Sequence, residues 1–231
     1  MRVARHSRRR KTPSVDPRTT QKFLEMNMTD QIGFFDAIYT QRAIRHLKPD
    51  PVPRETIERL IRAGTKAPSG GNSQGWKFIV ITDPETKSAI AEYYLQAWEM
   101  AYGNQNPSPP NIQSHVRSSA DYLARNMADM PVLLMACIHH DGSPSTITRG
   151  SSIYPAVQNI LLAARALGLG SAITTLHKRY EKEIKDLLGI PDNVETAALL
   201  PIGFIQEGYK YGPTRRAPVS EVTYWEKWDE S

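Results

Sequence analysis

The stretch from Ala67 to Phe78, APSGGNSQGWKF, crowds polar groups onto a permissive backbone and then runs straight into apolar sequence. Gly70 and Gly71 let the main chain reach positive φ and lie close to a ligand. Ser69, Asn72, Ser73 and Gln74 supply donors and acceptors around it. Trp76 to Thr82 predicts a strand, which would give the loop the rigid base that functional loops have. The same composition also suits a turn-rich connector between a helix and a strand. Four arginines add a second kind of chemistry. Arg42 and Arg45 stand at the end of the first helical pattern, and Arg215 and Arg216 lie near the C-terminus. Guanidinium groups grip phosphate bidentately and keep their charge at any working pH. Together they suit a phosphorylated, planar ligand; singly, each is as well explained as ordinary surface charge. His115, His139, His140 and His177 lack the partner spacing of a metal site, and no metal is expected.

The elements that must position these residues read clearly. Thr29 or Asp30 can cap a helix running to about Gln41, with Ile32, Phe35, Ile38 and Tyr39 on one face. Pro53 opens a second helix, striped by Ile57, Leu60 and Ile61, that ends near Gly64. Asp83 and Pro84 start a third, reaching about Tyr102 and carrying Tyr93, Tyr94, Trp98 and Tyr102. A turn-rich loop over 103–111 precedes a helix over about 112–128. Pro131 to Ile138 is too continuously apolar to be half exposed and predicts a buried strand. Ser151 to Leu167 repeats Ile153, Val157, Ile160, Leu161 and Ala164 at helical spacing, and Gly168 closes it. A short strand over about Ser171–Thr175, a helix over 178–188 and a buried strand over Ala197–Phe204 follow. The alternation of helices and strands predicts one α+β or α/β domain over residues 29–231.

The 231 residues are 40% hydrophobic and 23% charged, the balance of a soluble globular chain. No apolar run is long enough to span a bilayer, and the basic N-terminus has no apolar stretch of the kind a secretory signal needs. Cys137 is the only cysteine, so there is no internal disulfide and no cysteine zinc cluster; a reducing, cytoplasmic setting is expected. The net charge of +5 is a local effect. Residues 1–11, MRVARHSRRRK, hold six positive charges and no acid, which leaves the rest of the chain at −1. Residues 1–28 are therefore expected to be a disordered basic arm. The reading from another class is a nucleic-acid-binding protein that uses this arm on phosphate backbones. No recognition motif accompanies it, and nucleic acid is not the expected partner.

Four segments, in order, give the chain a specific resemblance. It resembles the nitroreductase-like, FMN-dependent oxidoreductase family from about Ile32 to Trp228. Gln41-Arg42-Ala43-Ile44-Arg45 is similar to that family's Arg-Arg-Ser-x-Arg motif. Pro68-Ser69-Gly70-Gly71-Asn72-Ser73-Gln74-Gly75-Trp76-Lys77-Phe78 is similar to its Pro-Ser-x-x-Asn-x-Gln-Pro-Trp-x-Phe loop and strand. The helix from Ala156 to Ala164, closed by Gly168-Leu169-Gly170, looks like its central dimer helix. Leu200-Pro201-Ile202-Gly203-Phe204 and Arg215-Arg216-Ala217-Pro218 match its C-terminal signature. Gln41, Ala43 and Gly75 depart from the pattern, which bears on how tightly the cofactor is held.

The resemblance implies an α+β fold with a central mixed sheet flanked by helices, a dimer-forming helix and an exchanged C-terminal arm. It implies a homodimer with FMN at the subunit interface. Arg42 and Arg216 would hold the FMN phosphate, and Ala43 would meet the ligand through its backbone. Arg45 would sit beside the ribityl chain and the pyrimidine edge, where positive charge favours the reduced ring. Pro68, Ser69, Asn72, Ile173, Thr174 and Thr175 would line the flavin. The implied activity is ping-pong transfer from NADH or NADPH, through flavin N5, to a nitroaromatic, quinone or activated alkene. Reductive dehalogenation and flavin fragmentation are the alternatives within the family. Because the cofactor carries the chemistry, no catalytic side chain is expected. The region 93–128 is the expected substrate lid.

Overall fold

The computed structural model describes residues 32–103 and 112–228. The arm expected over residues 1–28 lies outside them, as do Thr29 and Asp30. Helix α1 is Phe34–Thr40 and α2 is Arg54–Gly64. Strand β1, Trp76–Ile81, leads into α3, Pro84–Trp98, which Asp83 caps by accepting from the Thr86 amide at 2.8 Å. The chain continues through a π-turn at Glu99–Gly103 and through α4, Ile112–Arg125, into β2, Val132–His139. Helix α5, Ile147–Ala166, then β3, Leu169–Ser171, follow. A 3₁₀ turn, Leu176–Tyr180, leads to α6, Glu181–Leu188, and finally to β4, Val194–Phe204.

The strands order β1-β2-β4-β3, and every pairing is antiparallel. The α+β class with flanking helices holds, but the mixed sheet implied by the resemblance does not among the described residues. A continuous apolar run marks a strand as covered on both faces and says nothing about its direction. Here every hydrogen-bonded neighbour is antiparallel, while β2 and β3, joined through α5, run the same way with β4 between them. In β2, Leu133, Met135 and Cys137 pack with Ile90, Tyr94, Trp98 and Leu123 from α3 and α4. Alternate residues point to opposite faces, so Leu134 and Ala136 turn toward α5, which lies along β1, β2 and β4. All of them are buried, the β2 residues completely. Burial also pushes the Cys137 thiol up to about 12, so it stays an inert hydrophobe.

Several boundaries moved for local reasons. Helix α5 begins at Ile147, not Ser151, because the Thr146 hydroxyl caps it by accepting from the Arg149 amide at 3.3 Å. Strand β3 occupies Leu169–Ser171 instead of Ser171–Thr175; beyond it the Ala172 amide reaches Pro201 O at 3.4 Å and Thr174 bridges back to Leu199. Strand β4 starts three residues earlier than its apolar pattern, at Val194. In α1 only Ala37 is buried, while Phe34, Phe35 and Tyr39 are 68%, 64% and 64% exposed. The face that carries Phe35, Ile38 and Tyr39 lies on the outside of the chain.

Gly170 and Gly203 sit directly opposite one another in the β3–β4 pair. A Cβ at Gly170 would come within 2.5 Å of Leu47, and one at Gly203 within 2.5 Å of the Pro131 ring. The two glycines thus leave a trough in which Ile44 and Leu47 lie flat. Gly203→Ala should destabilise the protein by about 1–3 kcal/mol, because a proline ring cannot swing aside as the end of a leucine can. Equilibrium urea unfolding measures it; a midpoint equal to wild type would mean that the trough is not tight.

Candidate functional site

The segment from Gln41 to Lys48 is laid along this trough by main-chain bonds. The Ile44 amide donates to Ser171 O at 2.9 Å, the Gln206 amide to His46 O at 3.1 Å and the Lys48 amide to Phe204 O at 2.7 Å. Ile44 and Leu47 are buried at 3% and 2% exposure, which turns Arg42 and Arg45 away from the sheet. His46 stacks between Tyr122 of α4 and Tyr209, with ring centroids 3.8 Å apart on both sides. That sandwich ties α4 and the start of the C-terminal segment to the arginine segment.

Arg45 stands at the junction of two cavities. The larger is about 980 Å³. Ile173, Thr174, Thr175 and Leu176 line it from the chain leaving β3; Tyr94, Trp98 and Tyr102 give it an aromatic wall; Val116, Arg117 and Ala120 approach from α4. Lys178 and Arg179 of the 3₁₀ turn complete it. Tyr94 shares a hydrogen bond of 2.9 Å with Thr174 Oγ1, and burial raises its phenol, so it remains a protonated hydroxyl. Burial also lowers the Arg45 guanidinium without bringing it near neutrality. The smaller cavity, about 330 Å³, is polar: Arg42, Ala43, His46, His115, Ser118 and Ser119 line it together with Arg45.

Of the residues singled out in the sequence, Arg42, Ala43, Arg45, Ile173, Thr174 and Thr175 therefore converge. Pro68, Ser69 and Asn72 do not join them. Their loop turns over the flank of α5, where the Gly70 amide donates to Ser152 Oγ at 3.1 Å and the Gln74 amide to Ser69 Oγ at 3.0 Å. Asn72 and Gln74 hold φ of 52° and 51°, left-handed conformations rare outside glycine and concentrated at functional sites. Arg216 lies on the exposed C-terminal segment, its guanidinium donating to Arg215 O at 2.8 Å, and lines none of these cavities. Tyr94, Trp98 and Tyr102 could have been found together from their spacing of four, which places them on one helix face. Arg117, Lys178 and Arg179 carried no local signal.

A third cavity, about 420 Å³, opens where α5 starts and shares Lys178 with the first. An ion-pair network braces the wall between them. Glu195 meets Arg149 at 2.7 Å and Lys178 at 3.0 Å, and Lys178 also meets Glu181 at 2.9 Å. Glu181 accepts from Thr196 Oγ1 at 2.7 Å, and His177, fully buried, shares 3.1 Å with that hydroxyl while its Nδ1 has no partner among the described residues. Burial works against the Glu195 carboxylate, but hydrogen bonds from Arg149, Ser145 and Lys178 outweigh it and hold it at about 2. Burial, aided by the Lys178 charge, brings the His177 imidazole down to about 4. Both groups bind fewer protons folded than unfolded. Stability is thus full above the ordinary histidine value of 6.5, falls as His177 resists protonation down to about 4, and falls further as Glu195 is titrated toward 2. Urea unfolding at pH 4.5 should show about 2 kcal/mol less stability than at pH 7.5. In His177→Gln this difference should largely vanish; a full acid loss in that variant would assign it to other groups.

The Nitroreductase family profile matches residues 38–204. An Archaeoglobus fulgidus protein whose name couples NADH dehydrogenase with NAD(P)H nitroreductase is 33% identical over 170 residues, 72% of this chain and 82% of its own length. Iodotyrosine deiodinase of Danio rerio is 25% identical over 194 residues, 82% of this chain; the chain spans 65% of that relative's length. A crystal structure of iodotyrosine deiodinase bound to FMN and 3-iodo-L-tyrosine superposes with a TM-score of 0.68 at 20% identity, covering 84% of this chain and 99% of that one. That likeness is one of fold.

Proposed function

Because this chain belongs to the nitroreductase family, we propose that it is an FMN-dependent oxidoreductase that passes reducing equivalents from NADH or NADPH to a small-molecule acceptor. The observation that carries the reading is Arg45, shared by a large aromatic-walled cavity and a small polar one. The residues present fit the cofactor. Two guanidiniums and two seryl hydroxyls around about 330 Å³ form a donor set for a phosphate, and about 980 Å³ beside them has room for a flat ring and a second ligand.

Bound there, FMN would accept a hydride from the nicotinamide and deliver two electrons to the acceptor. The chain's own residues bind and orient. Arg42 holds the phosphate end, and the Ala43 main chain lies beside it. Arg45 would set a fixed positive charge beside the ring, of the sign that favours reduced over oxidised flavin. Thr174, oriented by the Tyr94 hydroxyl, presents a hydroxyl at the strand end with Ile173 and Thr175. Tyr94, Trp98 and Tyr102 exclude water from one side and offer stacking surface to an aromatic acceptor.

Pro68, Ser69, Asn72 and Arg216 act on the same cofactor from a second copy of the chain. The support is twofold: their loop and tail lie away from the cavities of their own chain, and the apolar residues of α1 and the tail are exposed. The acceptor is a nitroaromatic, quinone or activated alkene. Reductive removal of halogen from a phenol is the second reading, favoured by the deiodinase relative. Full-length protein mixed with FMN and desalted should show flavin absorption in the blue and then oxidise NADH or NADPH when menadione or a nitrofuran is added. A colourless protein after desalting would overturn the reading. Release of iodide from an iodophenol, with no turnover of nitro or quinone compounds, would select the second.

A further inference from the structure

We propose that the large cavity prefers acceptors whose aromatic ring carries a negative charge, such as a carboxylate, and that Arg179 reads that charge. The inference rests on the function proposed above and names the substrate class of the same site. Its basis is the charge inventory of the lining, which holds four cations, Arg45, Arg117, Lys178 and Arg179, and no carboxylate. Three of the four are already balanced or assigned. Lys178 belongs to the network with Glu181, Glu195 and Arg149, two cations against two anions. Arg117 faces a local excess of acid. The Asp121 carboxylate is held low first by its hydrogen bond from Arg125, then by that from Trp98 Nε1 at 3.0 Å, with the Arg117 charge adding to both, and Arg125 is shared between Asp121 and Glu99. Arg45 serves the cofactor.

Arg179 remains. Among the described residues it makes no ion pair or hydrogen bond, yet the turn beneath it is fixed. His177 on one side is fully buried. Lys178 is held by three oxygens at 2.9–3.0 Å. Tyr180 packs on Tyr93 with ring centroids 5.3 Å apart. An unspent guanidinium on a rigid turn, lining a cavity that also has an aromatic wall, is complementary to a flat ring bearing an anion.

With 4-nitrobenzoate the step balances as nitro compound plus NAD(P)H plus one proton giving nitroso compound, NAD(P)⁺ and water. One N–O bond breaks, and the nicotinamide supplies both electrons. The phosphates of the nucleotide could engage the same guanidinium, so the two half-reactions must be separated. In the first arm, the FMN-loaded protein is reduced beforehand with dithionite, freed of excess reductant and mixed with 4-nitrobenzoate or its methyl ester. In the second, NADH and NADPH reduce the oxidised protein. In the third, benzoate and methyl benzoate, which cannot accept electrons, are titrated into the loaded protein by calorimetry.

Wild type should favour the carboxylates at least tenfold in the first and third arms. Arg179→Gln should erase most of that ratio, and Arg179→Lys should keep part of it. Equal handling of acid and ester by wild type, or a ratio that survives Arg179→Gln, overturns the inference. So does an effect of Arg179→Gln confined to the NADH and NADPH arm, which would make Arg179 a nucleotide residue. A protein that takes up no FMN removes the functional reading itself. Normal flavin uptake and ester reduction with no acid preference removes this inference alone.

Discussion

Arg45→Ala should weaken FMN binding about a hundredfold and lower the reduction potential of whatever flavin remains bound. Arg45 is the one residue that lines both cavities, and the backbone of its segment is held on the sheet by the Ile44, Lys48 and Gln206 amides. Its loss therefore removes a preoriented charge, with no loop rearrangement to supply another. Removing one charge-assisted partner costs about 2–3 kcal/mol, which is roughly two orders of magnitude in affinity. The potential should fall because positive charge next to the ring stabilises the anionic reduced form more than the neutral oxidised one. Arg45→Lys should restore much of the potential but less of the affinity, since an ammonium keeps the charge and loses the fork. Quenching of FMN fluorescence by apoprotein measures the first effect, and a dye-coupled redox titration the second. FMN affinity unchanged in Arg45→Ala would place the cofactor elsewhere.

The second large effect concerns the C-terminal segment. Truncation after Gly212 should give a folded monomer that retains no FMN. Up to that point the segment is tied to its own chain. Tyr209 stacks on His46, Tyr211 donates to Leu169 O at 2.6 Å under the Arg165 guanidinium, and the Gly212 amide reaches Thr40 O at 3.4 Å. Beyond it Val219, Val222, Trp225 and Trp228 are 76%, 67%, 81% and 77% exposed. An aromatic side chain can bury about 150–250 Å², so this much apolar surface calls for a partner. The exposed face of α1 adds Phe34, Phe35 and Tyr39 to the same demand. Sizing chromatography and flavin content read the result together. Arg216→Ala separates the causes: it should keep the dimer while losing FMN, and Arg215→Ala should do neither. A truncated protein that stays dimeric and fully loaded would refute the exchange.

What could be read in the sequence and what could not divide along a physical line. The loop from Pro68 to Gly75, the paired arginines at 42 and 45 and the helix through Val157 and Ile160 were legible, because glycines, guanidiniums and apolar period are local properties. Strand direction was not, since Val132 to Ile138 would be equally apolar in either sense. The early start of β4 was hidden for a different reason. Glu195 and Thr196 look like solvent residues until Arg149, Lys178 and Glu181, each from another element, arrive to satisfy them. The outward face of α1 was not legible either, because a helical stripe reports that a surface will be covered, not which chain covers it. Arg179 had no motif at all; only the fold brings it to the cavity that Tyr94 and Trp98 also line.

The glycine trough has a kinetic consequence. A segment that supplies cofactor contacts would ordinarily exchange its amide hydrogens quickly, as exposed loops do. The amides of Ile44 and Lys48 instead bond to β3 and β4, so they open only when that edge of the sheet opens. They should exchange at rates set by near-global unfolding, with or without FMN, while the amide of Gly71 exchanges fast. The apoprotein would then keep its cofactor arginines in place. Reloading it with FMN should be a single bimolecular event, first order in each component, with no slow folding phase behind it.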